Sequence, residues 1–168
     1  MRGGPGRRWV RVGSFPSLII DRFSGGGTTH ELGLMDQILR AIRESAAAEG
    51  VTRVKTVALV VGRRSGALPD ALRFAFEVLT AGGEAGDGDA DGSGDGSAAD
   101  ETARLFRGAR LIIEEPPVRA RCRRCGLEYG EDDGDAATNW AFLCPRCGAG
   151  APEFISGREL RVEFYEGE

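Results

Sequence analysis

The sequence predicts an α+β fold in which two helices pack on one side of a three-stranded sheet, with a four-cysteine module inserted before the last strand. Three observations carry this. Residues 32–42 and 69–79 repeat apolar side chains at helical spacing. Residues 54–61, 109–114 and 159–164 are short, with β-branched or alternating apolar residues. Two Cys-x-x-Cys pairs stand between the second and third of these strand-like segments. A helix with one apolar stripe and a sheet with one apolar face bury each other as two layers.

With 168 residues, 41% of them hydrophobic, the chain can bury one sizeable core. Its longest apolar run, residues 57–61, falls far short of the roughly 18 consecutive apolar residues a membrane span needs, which excludes a transmembrane role. Arg7-Arg8 raises the question of an export signal, but Arg11, Pro16 and Asp21 interrupt the apolar part that follows. A cytoplasmic location is therefore expected. Thiols stay reduced there, so paired cysteines read as metal ligands in preference to a disulfide framework.

The net charge of −4 hides an uneven distribution. Residues 1–27 hold five arginines against Asp21, and residues 82–101 hold seven acids and no base. The rest is close to neutral, which gives the body no general attraction to nucleic acid.

Residues 1–28, rich in Gly and Arg and ending in Gly25-Gly26-Gly27, read as a flexible appended arm, within which residues 14–23 have the composition of a short strand. The first helix is expected over residues 29–49. Thr28-x-x-Glu31 has the form of a capping box at its start, and Gly50 suits the left-handed position that closes it. Strand one follows at residues 54–61, with Val57, Leu59 and Val61 on one face. Pro69 suits the first turn of a second helix, whose Leu72, Ala75, Phe76 and Leu79 share a stripe and which ends near Gly82-Gly83. The acidic stretch of residues 82–101 is mostly Gly, Asp, Ala and Ser and cannot bury enough apolar surface to offset the entropy of ordering it. Strand two is expected at residues 109–114, and strand three at 159–164 with Leu160, Val162 and Phe164 on one face.

Cys122-x-x-Cys125 and Cys144-x-x-Cys147 are separated by 18 residues, within the range of a four-thiolate zinc ribbon. Two residues between cysteines let both sulfurs of a tight turn point at one ion, and Gly126 and Gly148 relieve the backbone behind each pair. Zinc held by four thiolates has no open position, so the site is expected to be structural. A redox dithiol or an iron–sulfur centre are the competing uses, and neither explains two separated pairs better. Arg119, Arg121, Arg123, Arg124 and Arg146 also admit a nucleic-acid-binding or adaptor ribbon; against it, Glu128, Glu131, Asp132, Asp133 and Asp135 bring residues 118–150 to zero net charge.

His30 is the sole histidine, so any imidazole chemistry must use it. Taken by pattern alone it is an exposed first-turn residue at the mouth of a capped helix. A wider pattern changes the weight. His30-Glu31-Leu32, the helix after it, the run Ser65-Gly66-Ala67-Leu68-Pro69-Asp70-Ala71-Leu72-Arg73-Phe74-Ala75-Phe76-Glu77, the strand Ala109-Arg110-Leu111-Ile112-Ile113-Glu114-Glu115 and the cysteine pairs together resemble the HypA (HypA/HybF) hydrogenase-maturation family over about residues 29–166.

The resemblance implies a nickel metallochaperone, not an enzyme, that helps load nickel–iron hydrogenase, and in some relatives urease. Its implied partners are a GTPase of the HypB family and the hydrogenase large subunit precursor, with neither membrane nor nucleic acid among them. By the same resemblance, transient Ni(II) falls on His30 with Glu31, and structural Zn(II) on Cys122, Cys125, Cys144 and Cys147. Three regions are then expected: the extension 1–28, a nickel-binding α+β domain over 29–117 and 151–168 interrupted by the acidic, disordered 82–101, and the ribbon 118–150. The family normally begins Met-His-Glu, where the terminal amine joins the chelate; here Thr29 precedes His30 and 28 residues precede Thr29, so the amine joins only if the chain is processed or its start is misassigned. Imidazole suits nickel, and the positive end of a helix keeps it neutral but needs an anionic neighbour such as Glu31 to hold a divalent ion.

Other candidates are weaker. Asp87-x-Asp89-x-Asp91-Gly92 matches the first half of a calcium loop, but position twelve is Ala98 and the flanks are Gly-rich. Glu114-Glu115 and the acids of residues 128–135 read as exposed charge, and Met35 with Phe74 and Phe76 as helix face and core. No Gly-rich phosphate loop precedes a helix, so nucleotide hydrolysis is not expected of this chain.

Overall fold

The computed structural model describes residues 8–10, 29–81, 98–133 and 142–168. Thr28, residues 14–23, the calcium-loop-like Asp87, Asp89 and Asp91, and Asp135 lie outside them. The described chain is a mixture of three helices and two small sheets, of the expected α+β class, with more elements than the sequence announces.

In one compact unit, made of the described parts of residues 1–59, 68–112 and 162–168, three helices pack on one another. Helix α1, Thr29–Glu49, starts and ends where its periodicity predicts and buries Leu34, Met35, Ile38, Leu39, Ile42 and Ala46 along one stripe. Gly50 closes it at φ 69°, and the Val51 amide donates to the Ala46 carbonyl at 2.8 Å, satisfying an end group a helix leaves open. Helix α2, Pro69–Thr80, opens on the proline at its first turn and buries Leu72, Ala75 and Phe76. Phe74 is corrected here: it is 63% exposed, because two residues apart on a helix point to nearly opposite sides.

Helix α3, Ala98–Leu105, was not legible in the sequence. Its first residues share the composition of the acidic stretch before them, so residues 98–101, expected as disordered insertion, are helical instead. What holds it is apolar contact at its far end. Ala103 is buried, and the ring of Phe106, fully buried, meets Phe76 edge to face at a centroid distance of 6.4 Å. Asp100 and Arg104 pair across one turn at 2.9 Å.

One sheet has four strands where three were expected. Strand β1, Arg8–Val10, pairs antiparallel with β7, Leu160–Gly167, placing Trp9 opposite Glu166; β2, Val54–Val61, and β3, Arg110–Glu114, complete the order β1-β7-β2-β3. Strand β2 matches its predicted bounds, but it is buried continuously from Val57 to Val61 and not on alternate residues, so side chains on both of its faces are covered there. Strand β7 runs three residues past Phe164. Leu160 and Val162 are buried as expected, after which the buried set shifts to Tyr165 and Gly167 and leaves Phe164 partly exposed. Tyr165 is held there by its hydroxyl, 3.0 Å from Ser45 Oγ on α1, a polar tether that alternation of apolar residues does not reveal.

Beyond β7, the Glu168 amide donates to the Arg53 carbonyl, and its own carbonyl accepts from the Thr52 and Arg53 amides. Lys55 Nζ donates to Glu168 Oε2 at 2.7 Å, which holds the Glu168 carboxyl below its ordinary range.

The second unit comprises residues 60–67 and 113–161. It holds a three-stranded antiparallel sheet in the order β5-β4-β6, with β4 at Arg119–Arg121, β5 at Glu128–Gly130 and β6 at Glu153–Ser156.

Two outcomes are expected from this packing. Phe106→Ala should cost about 3–5 kcal/mol, as truncation of a buried aromatic does, and urea unfolding would measure it; a change below about 0.5 kcal/mol would mean that α3 does not dock as described. Because the folded carboxyl of Glu168 is depressed, its stabilisation is present above the ordinary carboxylate range and disappears as pH falls through the lowered value. Wild type should therefore melt above Glu168→Gln at neutral pH, with the gap closing in acid.

Candidate metal centre

Both halves of the cysteine module are built alike. After β4, the Gly126 amide donates to the Cys122 carbonyl at 2.9 Å and the Cys122 amide to the Leu127 carbonyl at 2.8 Å. In the second pair, the Gly148 amide donates to the Cys144 carbonyl at 2.8 Å and the Cys144 amide to the Ala149 carbonyl at 2.9 Å. The glycine behind each pair has positive φ, 73° at Gly126 and 66° at Gly148, a backbone state that a side chain would strain. Each tight turn leaves its first sulfur facing backbone amides: those of Cys125 and Arg124 at Cys122, and those of Cys147 and Arg146 at Cys144.

All four sulfurs lie within 4.8 Å of one another, with Cys122 to Cys147 at 3.6 Å and Cys125 to Cys144 at 3.5 Å. These are not disulfides, whose sulfurs sit about 2.05 Å apart. A tetrahedral ion with ligand bonds of about 2.3 Å places its sulfurs roughly 3.8 Å apart, close to the separations of the Cys122–Cys147 and Cys125–Cys144 pairs. Among the described residues this is the one cluster of three or more metal-ligating side chains.

The electrostatics suit a cation. The Cys125 amide, with that of Arg124 and the neighbouring thiols, draws the Cys122 thiol down to about 6 against burial. Burial pushes Cys144 up, but the amides of Cys147 and Arg146 outweigh it and leave the thiol lowered. The Ala149 amide pulls Cys147 down, yet burial and the three other sulfurs prevail and push it up to about 11. One proton thus leaves easily while another is held back by the charge already present, as in any cluster of like charges.

The cysteines are packed against Val118, Ala120, Tyr129 and Phe142, with Leu127, Ala149 and Phe154 at the margin. Tyr129 is buried with its hydroxyl donating to the Phe142 carbonyl at 2.8 Å; burial first, then the cysteine sulfurs, push its phenol up. Sequence reasoning did not single out Tyr129 or Phe142, though the alternation of Glu128, Tyr129 and Gly130 beside a cysteine pair was a usable signal. Of the ribbon arginines, Arg121 is committed to Glu128 at 2.6 Å, an exposed pair that lowers that carboxyl. Part of the ribbon's positive charge is thereby neutralised by an acidic neighbour.

His30 is the second residue of α1, and its side chain lies outside the described residues. Glu31 follows in the first turn, half-buried and acidic at the helix end that favours negative charge.

Residues 29–89 and 97–167 match the family model described as hydrogenase/urease nickel incorporation, metallochaperone, hypA. The hydrogenase maturation factor HypA of Moorella thermoacetica is 37% identical over 139 residues, covering 83% of this chain and 99% of its own. That of Streptomyces avermitilis is 31% identical over 134 residues, 79% of this chain and 82% of its own. Among solved structures, the solution structure of the Ni metallochaperone HypA from Helicobacter pylori aligns with a TM-score of 0.50 over 82% of this chain and 96% of that one, at 18% identity. Another HypA solution structure aligns with a TM-score of 0.55 over 84% of this chain and 98% of that one, also at 18% identity. The likeness to these structures concerns the fold; the match over residues 29–89 and 97–167, together with relatives sharing a third of their residues, establishes that this chain belongs to the HypA family.

Proposed function

We propose that this chain is a nickel metallochaperone that supplies the metal centre of nickel–iron hydrogenase during maturation, its cargo held at the start of α1 and its cysteine ribbon held shut by zinc. The observation that carries the reading is the family match, which spans both His30-Glu31 and the four-cysteine cluster.

Nickel is the substrate here, bound and released unchanged. The His30 imidazole and the Glu31 carboxylate are the side chains proposed to hold it, with backbone nitrogen completing a set that nickel accepts. Helix polarity disfavours a cation at this end of α1, so the anionic charge of Glu31 is what makes a site of it. A site balanced in this way binds modestly and gives up its ion readily, as transfer requires. No bond-making chemistry is asked of the chain, in keeping with a carrier and not an enzyme.

The cysteine cluster has the opposite design. Four sulfurs within 4.8 Å of one another, two of them on buried cysteines, suit an ion that stays. Zinc bound there would supply a cross-link between the two cysteine pairs, whose folding depends on it. A HypB-family GTPase and the hydrogenase large subunit precursor are the proposed partners, in the cytoplasm; no described helix is long and apolar enough to cross a membrane.

Calorimetric nickel titration of the zinc-loaded full chain should give about one equivalent in wild type, none in His30→Ala, and a reduced affinity in Glu31→Gln. Undiminished nickel binding by His30→Ala would remove the cargo assignment. Cys122→Ala should lose zinc and unfold the ribbon, and an ordered, zinc-free ribbon in that variant would refute the structural role of the cluster.

A further inference from the structure

The loop of residues 62–67, which joins β2 to α2, belongs to the same compact unit as the ribbon although 50 or more residues separate them in the chain. Its backbone is tied down by the Gly62 amide donating to the Glu159 carbonyl at 2.6 Å and the Arg64 amide to the Gly157 carbonyl at 2.7 Å. A side chain at Gly62 would come within 2.2 Å of the Gly157 backbone, so the approach is as close as two strands of chain allow. Arg63 adds an ion pair to Glu131 at 2.6 Å.

Arg64 makes the contact that reaches the metal cluster. Its guanidinium carbon lies 4.8 Å from the ring centroid of Phe142 and 4.8 Å from that of Phe154, two rings that themselves meet edge to face at 5.2 Å. Phe142 stands two residues before Cys144 and is buried in the cluster that contains Cys122 and Cys144. Its φ is 49°, a left-handed backbone state that a bulky side chain does not adopt unless its surroundings hold it there. Two groups do so: the Tyr129 hydroxyl on its carbonyl, and Arg64 on its ring.

We propose that Arg64 is a positioning residue of the four-cysteine site: by clamping Phe142 and Phe154 it couples the loop of residues 62–67 to metal uptake. Filling the site orders the loop, and anchoring the loop tightens the site, by the same factor in both directions because coupling between two equilibria is reciprocal. The inference rests on the reading that the cluster holds a permanent zinc ion. It goes beyond that reading by assigning a residue far from the cysteines in sequence to the site, and by making the 62–67 loop report its occupancy.

The test uses the full chain. Zinc affinity is measured by chelator competition for wild type, Arg64→Gln, Arg64→Lys and Arg63→Gln, the Co(II)-substituted proteins are compared by absorption, and amide exchange is followed with and without the metal. Arg64→Gln should keep the four-thiolate Co(II) spectrum, since no ligand is lost, while its dissociation constant for zinc rises about 3- to 10-fold, the scale of an exposed cation–π contact to two rings. Arg64→Lys should fall between, having the charge without the flat stacking surface. Arg63→Gln should shift affinity less than about twofold, because an exposed ion pair contributes little.

In wild type, stripping the metal should expose the amides of Gly62 and Arg64 to exchange, while those of Thr52 and Arg53, bonded to Glu168 in the other unit, keep their protection. Equal zinc affinity in wild type and Arg64→Gln, equal losses in the Arg63 and Arg64 variants, or unchanged protection of residues 62–67 on stripping would each overturn the proposal. A wild type that binds no zinc at all would instead remove the reading beneath it. Should Arg64→Gln fail to fold, the wild-type exchange comparison and Arg64→Lys decide alone.

Discussion

Four sulfurs within 4.8 Å of one another cannot all be ionised without a cation among them, and cannot all be neutral at no cost when backbone amides point at two of them. That conflict governs the second unit. Cys122, drawn down to about 6, and Cys147, pushed up to about 11, are two sides of one crowded charge, which a divalent ion relieves at once. The cluster around the cysteines is small: among the described residues, Val118, Ala120, Tyr129 and Phe142 are the buried members beside Cys122 and Cys144. A core this small calls for a staple, which an ion held by the four cysteines would supply.

The helical unit is held by apolar packing. Its helices bury Leu34, Met35, Ile38, Leu39, Ile42, Leu72, Phe76 and Phe106, with Tyr165 fully enclosed from β7. No charged side chain is buried among the described residues, and the hydroxyl of buried Tyr165 is hydrogen-bonded to Ser45, so this packing carries little desolvation cost. The two units thus solve the same problem of chain entropy by different means, one by apolar area and the other by ligation.

How legible each part was follows from that difference. Helices α1 and α2 and strand β2 could be read because their periodicity is local: Met35, Ile38, Leu39 and Ile42 announce a helix without knowledge of any partner. The cysteine spacing is equally local, and all four sulfurs meet where it placed them. What escaped was decided by distant contacts. Helix α3 is fixed where Phe106 meets Phe76, and its eight residues, continuing the composition of the acidic stretch before them, are too few to announce a helix by themselves. Three residues of β1 make a strand only beside β7. The burial of Tyr165 in place of Phe164 turns on a hydroxyl meeting Ser45. Nothing near Arg64 in the sequence marks it as a neighbour of Phe142.

The same distinction separates the two kinds of metal ligation proposed for the chain. A resident ion needs ligands that the fold delivers together from far apart, and Cys122 with Cys144 meets that description, since their turns are separated in sequence and converge only when the ribbon closes. A cargo ion needs the reverse: ligands adjacent in sequence, already close before anything else folds, so that the ion can come and go without disturbing a core. His30 and Glu31 are consecutive residues in the first turn of a helix whose buried stripe begins only at Leu34. Loss of the proposed cargo ion there would cost the packing nothing, whereas loss of an ion from the cysteines would remove a cross-link between their two turns. Lability and permanence are therefore set less by the choice of donor atom than by how much of the fold each set of donors must draw together.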